Sequence, residues 1–309
     1  MNRTAARLFR PAVGAAVLLA FPALADQPYF ASPEAALAAL ETTLQHKDGD
    51  ALAALLGPEH RDDLIGGDPA QARQWMDQLN VAVDQGARLE TNADGSLTVI
   101  LGRQDWPMPV PLVKEAAGWR FDTAAGIEEI DDRRVGSNEL AAIGLLRTYV
   151  EAQLQYAQAD RDGDQVLEYA QRIVSTPGQQ DGLYWAPEGQ QPLSPLGPAV
   201  AEADAYARDY HQHGEPYHGY YFKILTGQGA SPPGGAYDYV INGNMIAGFA
   251  MVAWPADYGH SGVMTFAVSH QGIVYERDLG PETEKLAPEI ATYDPDSGWD
   301  EVSDDGEAD

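Results

Sequence analysis

Residues Ala247 to Pro281 read AGFAMVAWPADYGHSGVMTFAVSHQGIVYERDLGP, and this stretch decides the fold. Its apolar and β-branched residues fall into three short runs: Gly248–Trp254, Val263–Val268 and Ile273–Glu276. Gly, Pro, Asp and Ser separate the runs, as they separate strands in a sheet. His270-Gln271-Gly272 is short enough for a tight hairpin between the last two. Upstream, Tyr220–Leu225 and Tyr237–Ile241 are two further strand candidates. Between them lies Ser231-Pro232-Pro233-Gly234-Gly235, which lacks the Gly-Lys-Ser/Thr ending and following helix of a phosphate cradle. Residues 216–293 are therefore expected to form a β-rich C-terminal unit.

Upstream of that unit the period changes to that of a helix. Leu140, Ile143, Leu146, Val150 and Leu154 form one apolar stripe, and Ser137 is placed to cap it. The helix is expected to end near Ala159, with a further helix over Val166–Val174. Residues 175–198 are rich in Pro and Gly, and a loop that long is usually functional or mobile. Residues 136–215 are read as linking helices and loop.

The N-terminal third repeats the α-then-β order. Ser32-Pro33-Glu34 is a helix start, with Ser as cap, Pro in the first turn and Glu on the positive end of the macrodipole. Leu37, Leu40 and Leu44 follow at helical spacing until Asp48-Gly49-Asp50. A second helix carries Leu52, Leu55 and Leu56 and stops at Gly57-Pro58. A third is expected from Pro69 to Asn80, with Trp75, Met76 and Leu79 facing inward. Leu97–Leu101, Val110–Val113 and Gly118–Phe121 then read as strands of an antiparallel meander. Residues 26–135 are thus expected to be an N-terminal α+β unit, resembling the NTF2-like or cystatin-like arrangement of a curved sheet around a helix. The fold class is α+β throughout.

Residues 1–25 have the pattern of a signal peptide. Arg3, Arg7 and Arg10 precede the apolar run Ala12–Phe21, and Ala23-Leu24-Ala25 is a cleavage pattern. The run is short for a bilayer, and no later stretch approaches transmembrane length, so no stable membrane span is expected after cleavage. A periplasmic or secreted location follows from this reading. The chain has 309 residues, 44% of them hydrophobic, which suits globular cores rather than disorder. It has no cysteine, which excludes disulfides, thiolate metal sites and a cysteine nucleophile. With 47 acidic against 19 basic side chains the net charge is -28, so nucleic acid is an unsuitable partner. Residues 294–309 are acidic and poor in apolar groups, and are expected to form a disordered tail.

Four clusters could carry chemistry. Asp160, Asp162 and Asp164 alternate as in an EF-hand-like calcium loop, with Glu168 at the ninth position. The sixth position is Gln165 instead of Gly, and the twelfth is Gln171 instead of a bidentate Glu. Calcium is the cofactor this loop suggests, and those departures imply weak affinity. His211, His213, Glu215 and His218 form a possible transition-metal set. Gly259-His260-Ser261-Gly262 superficially suggests a hydrolase, but it lacks the spacing and strand-turn-helix context of a nucleophile elbow. Tyr184, Trp185, His218, Tyr220 and Trp254 are the candidate ligand-binding residues, since aromatics can stack on sugars or grip a peptide.

Several strings carry a family resemblance: FASPEAALAAL (Phe30–Leu40), DWPMPVPLVKEAAGWRFDTAAG (Asp105–Gly126), DRDGDQVLEYAQRIVSTPGQQDGLYW (Asp160–Trp185), PYHGYYFKILTGQG (Pro216–Gly229) and the Ala247–Pro281 stretch. Together they resemble an exported bacterial family catalogued as domain of unknown function 2950. That resemblance implies an exported protein and supplies no catalytic residue. The C-terminal unit is also similar to the globular ends of some type II pseudopilins, on Tyr220-Tyr221-Phe222, Gly262–Phe266 and Gly272–Val274. The chain lacks the long apolar N-terminal helix of a filament subunit. The reading favoured by the sequence is a non-catalytic binding or assembly factor in the cell envelope, acting on an envelope protein, peptide or glycan. Its rivals are a metal-assisted hydrolase of an envelope polymer and a calcium-stabilised structural module.

Overall fold

The computed structural model describes residues 27–65, 69–186, 193–197 and 216–303. The proposed signal peptide, and His211, His213 and Glu215, lie outside the described residues.

In the N-terminal unit, α1 (Pro33–His46) starts where Ser32 accepts the Ala35 N–H, and α2 (Gly49–Leu56) where Asp48 accepts that of Ala51. Helices α3 (Arg61–Ile65) and α4 (Pro69–Asp84) follow. The chain then forms β1 (Ala87–Thr91), β2 (Leu97–Leu101), β3 (Trp106–Pro107), β4 (Leu112–Glu115) and β5 (Gly118–Phe121). These pair in the order β1-β2-β4-β5, all antiparallel, with β3 also on β2. Leu40, Leu44, Leu56, Val99, Leu101, Leu112 and Phe121 fill the core between helices and sheet.

Helix α5 (Thr123–Tyr156) is 34 residues long and joins the two units. This corrects the expected start at Ser137, which lies mid-helix. The helix begins where the Thr123 hydroxyl reaches the Leu56 carbonyl. The boundary expected near residue 135 therefore falls inside one continuous helix. Its first half puts Ile130 into the N-terminal core, and its second half puts Ala142, Leu146, Tyr149, Ala152 and Tyr156 into the C-terminal one.

The C-terminal unit contains β6 (Tyr220–Leu225), β7 (Gly227–Gln228), β8 (Tyr237–Asp238), β9 (Val240–Ile241), β10 (Asn244–Met245), β11 (Ala250–Pro255), β12 (Met264–Ser269), β13 (Val274–Asp278), the short helix α6 (Thr283–Leu286) and β14 (Asp300–Glu301). The main sheet has the order β14-β13-β12-β11-β6, and every pairing is antiparallel. β11 is buried along its whole length, as a central strand covered on both faces must be. The expected strand over Tyr237–Ile241 is two short strands in separate two-stranded ribbons.

Two segments differ from expectation. No helix forms over Val166–Val174. Tyr169 instead bridges Met245, and Val174 bridges Tyr184. Nor is the acidic tail disordered from residue 294: β14 pairs with β13, and Tyr293, Trp299 and Val302 pack against the core. Three apolar side chains anchor a strand that its charge alone would leave in solvent. Among the described residues, no helix is long and apolar enough to cross a membrane.

Two adjacent residues of α5 dock the helix on the sheet. Asn138 is buried and donates to the Ser261 carbonyl at 2.8 Å. Glu139 accepts the Val263 and Met264 N–H groups at 2.9 and 3.0 Å.

Candidate functional site

The site grows from the last turns of α5. Gln153 is fully buried, and its amide brackets Ala170: Oε1 accepts the Ala170 N–H at 2.8 Å, and Nε2 donates to the Ala170 carbonyl at 2.8 Å. Nε2 also donates to the Tyr149 hydroxyl, which in turn donates to the Ala250 carbonyl. A chain that would otherwise be an unpaired loop is thus tied to the helix and sheet. From there the chain doubles back. The Ser175 N–H donates to Tyr184, and the Tyr184 N–H to Ile173, each at 2.8 Å. Gly182 is required at this close approach, because a Cβ there would stand 2.6 Å from the Val174 carbonyl carbon.

A cleft of about 1010 Å³ opens between this doubled segment and the end of α5. Arg161, Glu168, Arg172, Asp181, Tyr184 and Trp185 line it. The Arg161 guanidinium lies 4.8 Å from the Tyr156 ring centroid and 5.1 Å from that of Trp185. It donates to the Tyr156 carbonyl and to Gln180 Oε1. Burial pulls the Arg161 pKa down, against the opposing pull of Tyr156. Burial likewise pushes the Tyr156 phenol up to about 12. Burial works against the Asp181 charge too, but the Thr176 hydroxyl and N–H donate to it at 2.7 and 2.6 Å and hold its carboxyl below the usual range.

One wall of the cleft runs into the acidic loop. Asp160, Asp162 and Asp164 are exposed and can each place an oxygen within 4.8 Å of the others. Asp160 accepts the Gly163 N–H at 2.7 Å and the Gln165 N–H at 2.9 Å, and these bonds hold its pKa below the usual value. Asp164 accepts the Val166 N–H at 2.8 Å and the Asn244 amide at 2.6 Å. Gly163 and Gln165 both take positive φ, 82° and 70°. Gln165 therefore makes the turn for which glycine is the easier residue. Glu168 is half-buried and accepts the Met245 N–H at 3.3 Å. Desolvation raises its pKa, and the charges of Asp162, Asp164 and Asp160 add to the rise.

The other candidates do not join this cleft. His218 lines a separate groove between the units. Tyr220 is fully buried, with its hydroxyl donating to the Met264 carbonyl at 2.9 Å, and Trp254 is packed beside Tyr221. Tyr220 and Trp254 thus sit in the C-terminal core, as the largely buried Trp185 also does, but of the three only Trp185 lines the Arg161 cleft. The register sets Tyr220 opposite Pro255 and Trp254 opposite Tyr221, so the two rings pack on opposite faces of the sheet. Ser261 is a turn residue: its Oγ accepts the Asp257 N–H and donates to the Asp257 carbonyl. The sequence reading missed Tyr156, Arg161, Gln180 and Asp181. Arg161 had been visible only as a spacer between two aspartates, and a helix over Val166–Val174 would have turned these residues apart.

The fold and cleft define a two-unit α+β protein with a mixed aromatic and charged recess. The family model described as protein of unknown function (DUF2950) matches residues 27–302, and the chain belongs to that family. No curated protein and no solved structure matches it.

Proposed function

We propose that the protein is an exported, non-catalytic binding factor of the cell envelope, and that the Arg161 cleft holds its ligand, a glycan or peptide segment. The observation that carries the reading is the convergence of Tyr184, Trp185, Arg161, Glu168 and Asp181 on one recess. Aromatic faces and planar charged groups together suit ring-stacking and paired hydrogen bonds to hydroxyl or amide groups. Asp181 is held by Thr176 and Arg161 by Gln180 and two rings, an arrangement suited to orienting a ligand more than to moving protons. The N-terminal Arg-rich, apolar, Ala-Leu-Ala pattern supports export. Screening purified protein on immobilised envelope glycans and peptides tests the reading. Binding lost in Arg161→Ala with folding retained supports it, and turnover of a bound ligand by the purified protein overturns it.

The acidic loop favours a second, compatible reading as a calcium site. Its support is the positive φ at Gln165 together with the Asp160 acceptance of the Gln165 N–H, the backbone path that turns alternating carboxylates inward. Calcium there would stiffen the wall that Asp162 and Glu168 share with the cleft. A melting temperature that rises in millimolar calcium and falls with chelator is expected; no shift in either removes this reading.

A further inference from the structure

A second recess, of about 1490 Å³, lies between α4, the β2–β3 connection and the middle of α5. Its lining combines two features that are individually ordinary and together unusual for this chain. The first is charge. Among the described residues, every lysine and arginine side chain other than Arg73 and Arg103 engages an acid, a carbonyl, a ring or another group. Arg73 and Arg103 are exposed, and both line this groove. In a chain of net charge -28, cations with no side-chain partner of any kind among the described residues are the exception. The second feature is apolar exposure. Val81 on α4 is 58% exposed and Leu140 on α5 is 69% exposed, and both line the same groove. On α5, Arg133, Gly136, Ser137 and Leu140 recur at helical spacing and present one face to it. Among the described residues, nothing lies within 4 Å of where a Gly136 Cβ would stand.

We propose that this inter-unit groove docks a short acidic segment of a partner protein, with carboxylates on Arg73 and Arg103 and apolar side chains on Val81 and Leu140. The apolar pair favours a peptide over an acidic glycan, which has no side chains to bury there. The segment must be short. A long polyanion would meet the acidic remainder of the surface, whereas a short one meets Asp77 alone among the acids lining the groove in the described residues, and Asp77 is paired with Lys47 at 2.6 Å. Charge pairs of this kind set partner choice and on-rate, and the apolar contacts set residence time. The site is separate from the Arg161 cleft, and its test is independent of that reading.

The test is selection from a random 12-residue phage peptide library on the full chain, followed by fluorescence anisotropy of the selected peptides. Enrichment of Asp and Glu interleaved with Leu, Ile or Phe is expected. The Arg73→Glu/Arg103→Glu variant should bind those peptides at least about tenfold more weakly, and Leu140→Ser should weaken them without changing their salt dependence. Melting curves of the variants should match the parent, because neither arginine side chain has a partner among the described residues and Leu140 is exposed. Selected peptides without acidic enrichment, or peptides that bind the charge-reversed protein equally well, overturn the proposal. So does selection that yields no binding peptide.

Discussion

Replacing Gln153 with Leu should destabilise the protein by several kcal/mol and loosen the cleft. The side chain is fully buried and nearly the size of Leu, so the substitution fills the same space. It removes three hydrogen bonds and leaves the Ala170 N–H and carbonyl without partners. Each orphaned buried group costs about 1–3 kcal/mol. The two together cost about 2–6 kcal/mol, and Leu recovers roughly 1–2 kcal/mol through its apolar surface, which leaves a net loss centred on about 2.5 kcal/mol. Against a total stability of about 5–15 kcal/mol that is a large fraction. It corresponds to a fall in melting temperature of roughly 5–15 °C. Thermal unfolding followed by near-UV circular dichroism measures it, with Leu154→Gln as the surface control, expected within about 0.5 kcal/mol of the parent. Hydrogen exchange at Ala170, Leu183 and Tyr184 should accelerate before the main sheet opens. A Gln153→Leu protein that melts within about 2 °C of the parent would show that the bracket on Ala170 does not hold the segment.

His270 gives a pH prediction. Burial holds its pKa below the ordinary value of 6.5 against an opposing pull from the Phe249 backbone, and among the described residues its buried Nδ1 has no partner at hydrogen-bond geometry. Protonation therefore favours the unfolded chain, and stability should fall as pH drops below about 6.5; His270→Phe should flatten that part of the pH–stability curve. Glu168 has the opposite sign of shift for a carboxylate, raised by desolvation and by its acidic neighbours. Its charge opposes folding once pH rises through its folded pKa. Glu168→Gln should then raise the melting temperature at pH 7 in chelator and shrink any gain from calcium. Gly182→Ala should destabilise by about 1–3 kcal/mol in urea unfolding, because the Val174 backbone cannot retreat from a Cβ at 2.6 Å.

Much of the fold was legible in residues that act locally. Ser32, Pro33 and Asp48 mark helix starts by chemistry that operates within one turn, and α1 and α2 begin there. The strand runs of the C-terminal sheet were legible because β11 and β12 are buried, so their apolar content is nearly continuous. The early start of α5 was not legible. Its first turns carry Glu128, Glu129, Asp131, Asp132, Arg133 and Arg134, a charged face that exposes little apolar period. The site was half legible. The alternating aspartates announced the loop, but the cleft depends on Gln153 reaching Ala170 and on Arg161 lying between two rings. Those contacts join residues from 5 to 24 positions apart, and no local period reports them.

The continuity of α5 has a consequence for how this chain can vary. Arg134 engages the Asp63 carbonyl of the N-terminal unit, while Asp131, Asn138 and Glu139 hold His260, Ser261 and the start of β12 in the C-terminal one. A single rod therefore works as a keyed axle between two bodies. One residue added or removed between Arg134 and Asn138 would swivel everything downstream by about 100° and slide it about 1.5 Å. Length changes should thus be tolerated in the loops and forbidden within this one turn.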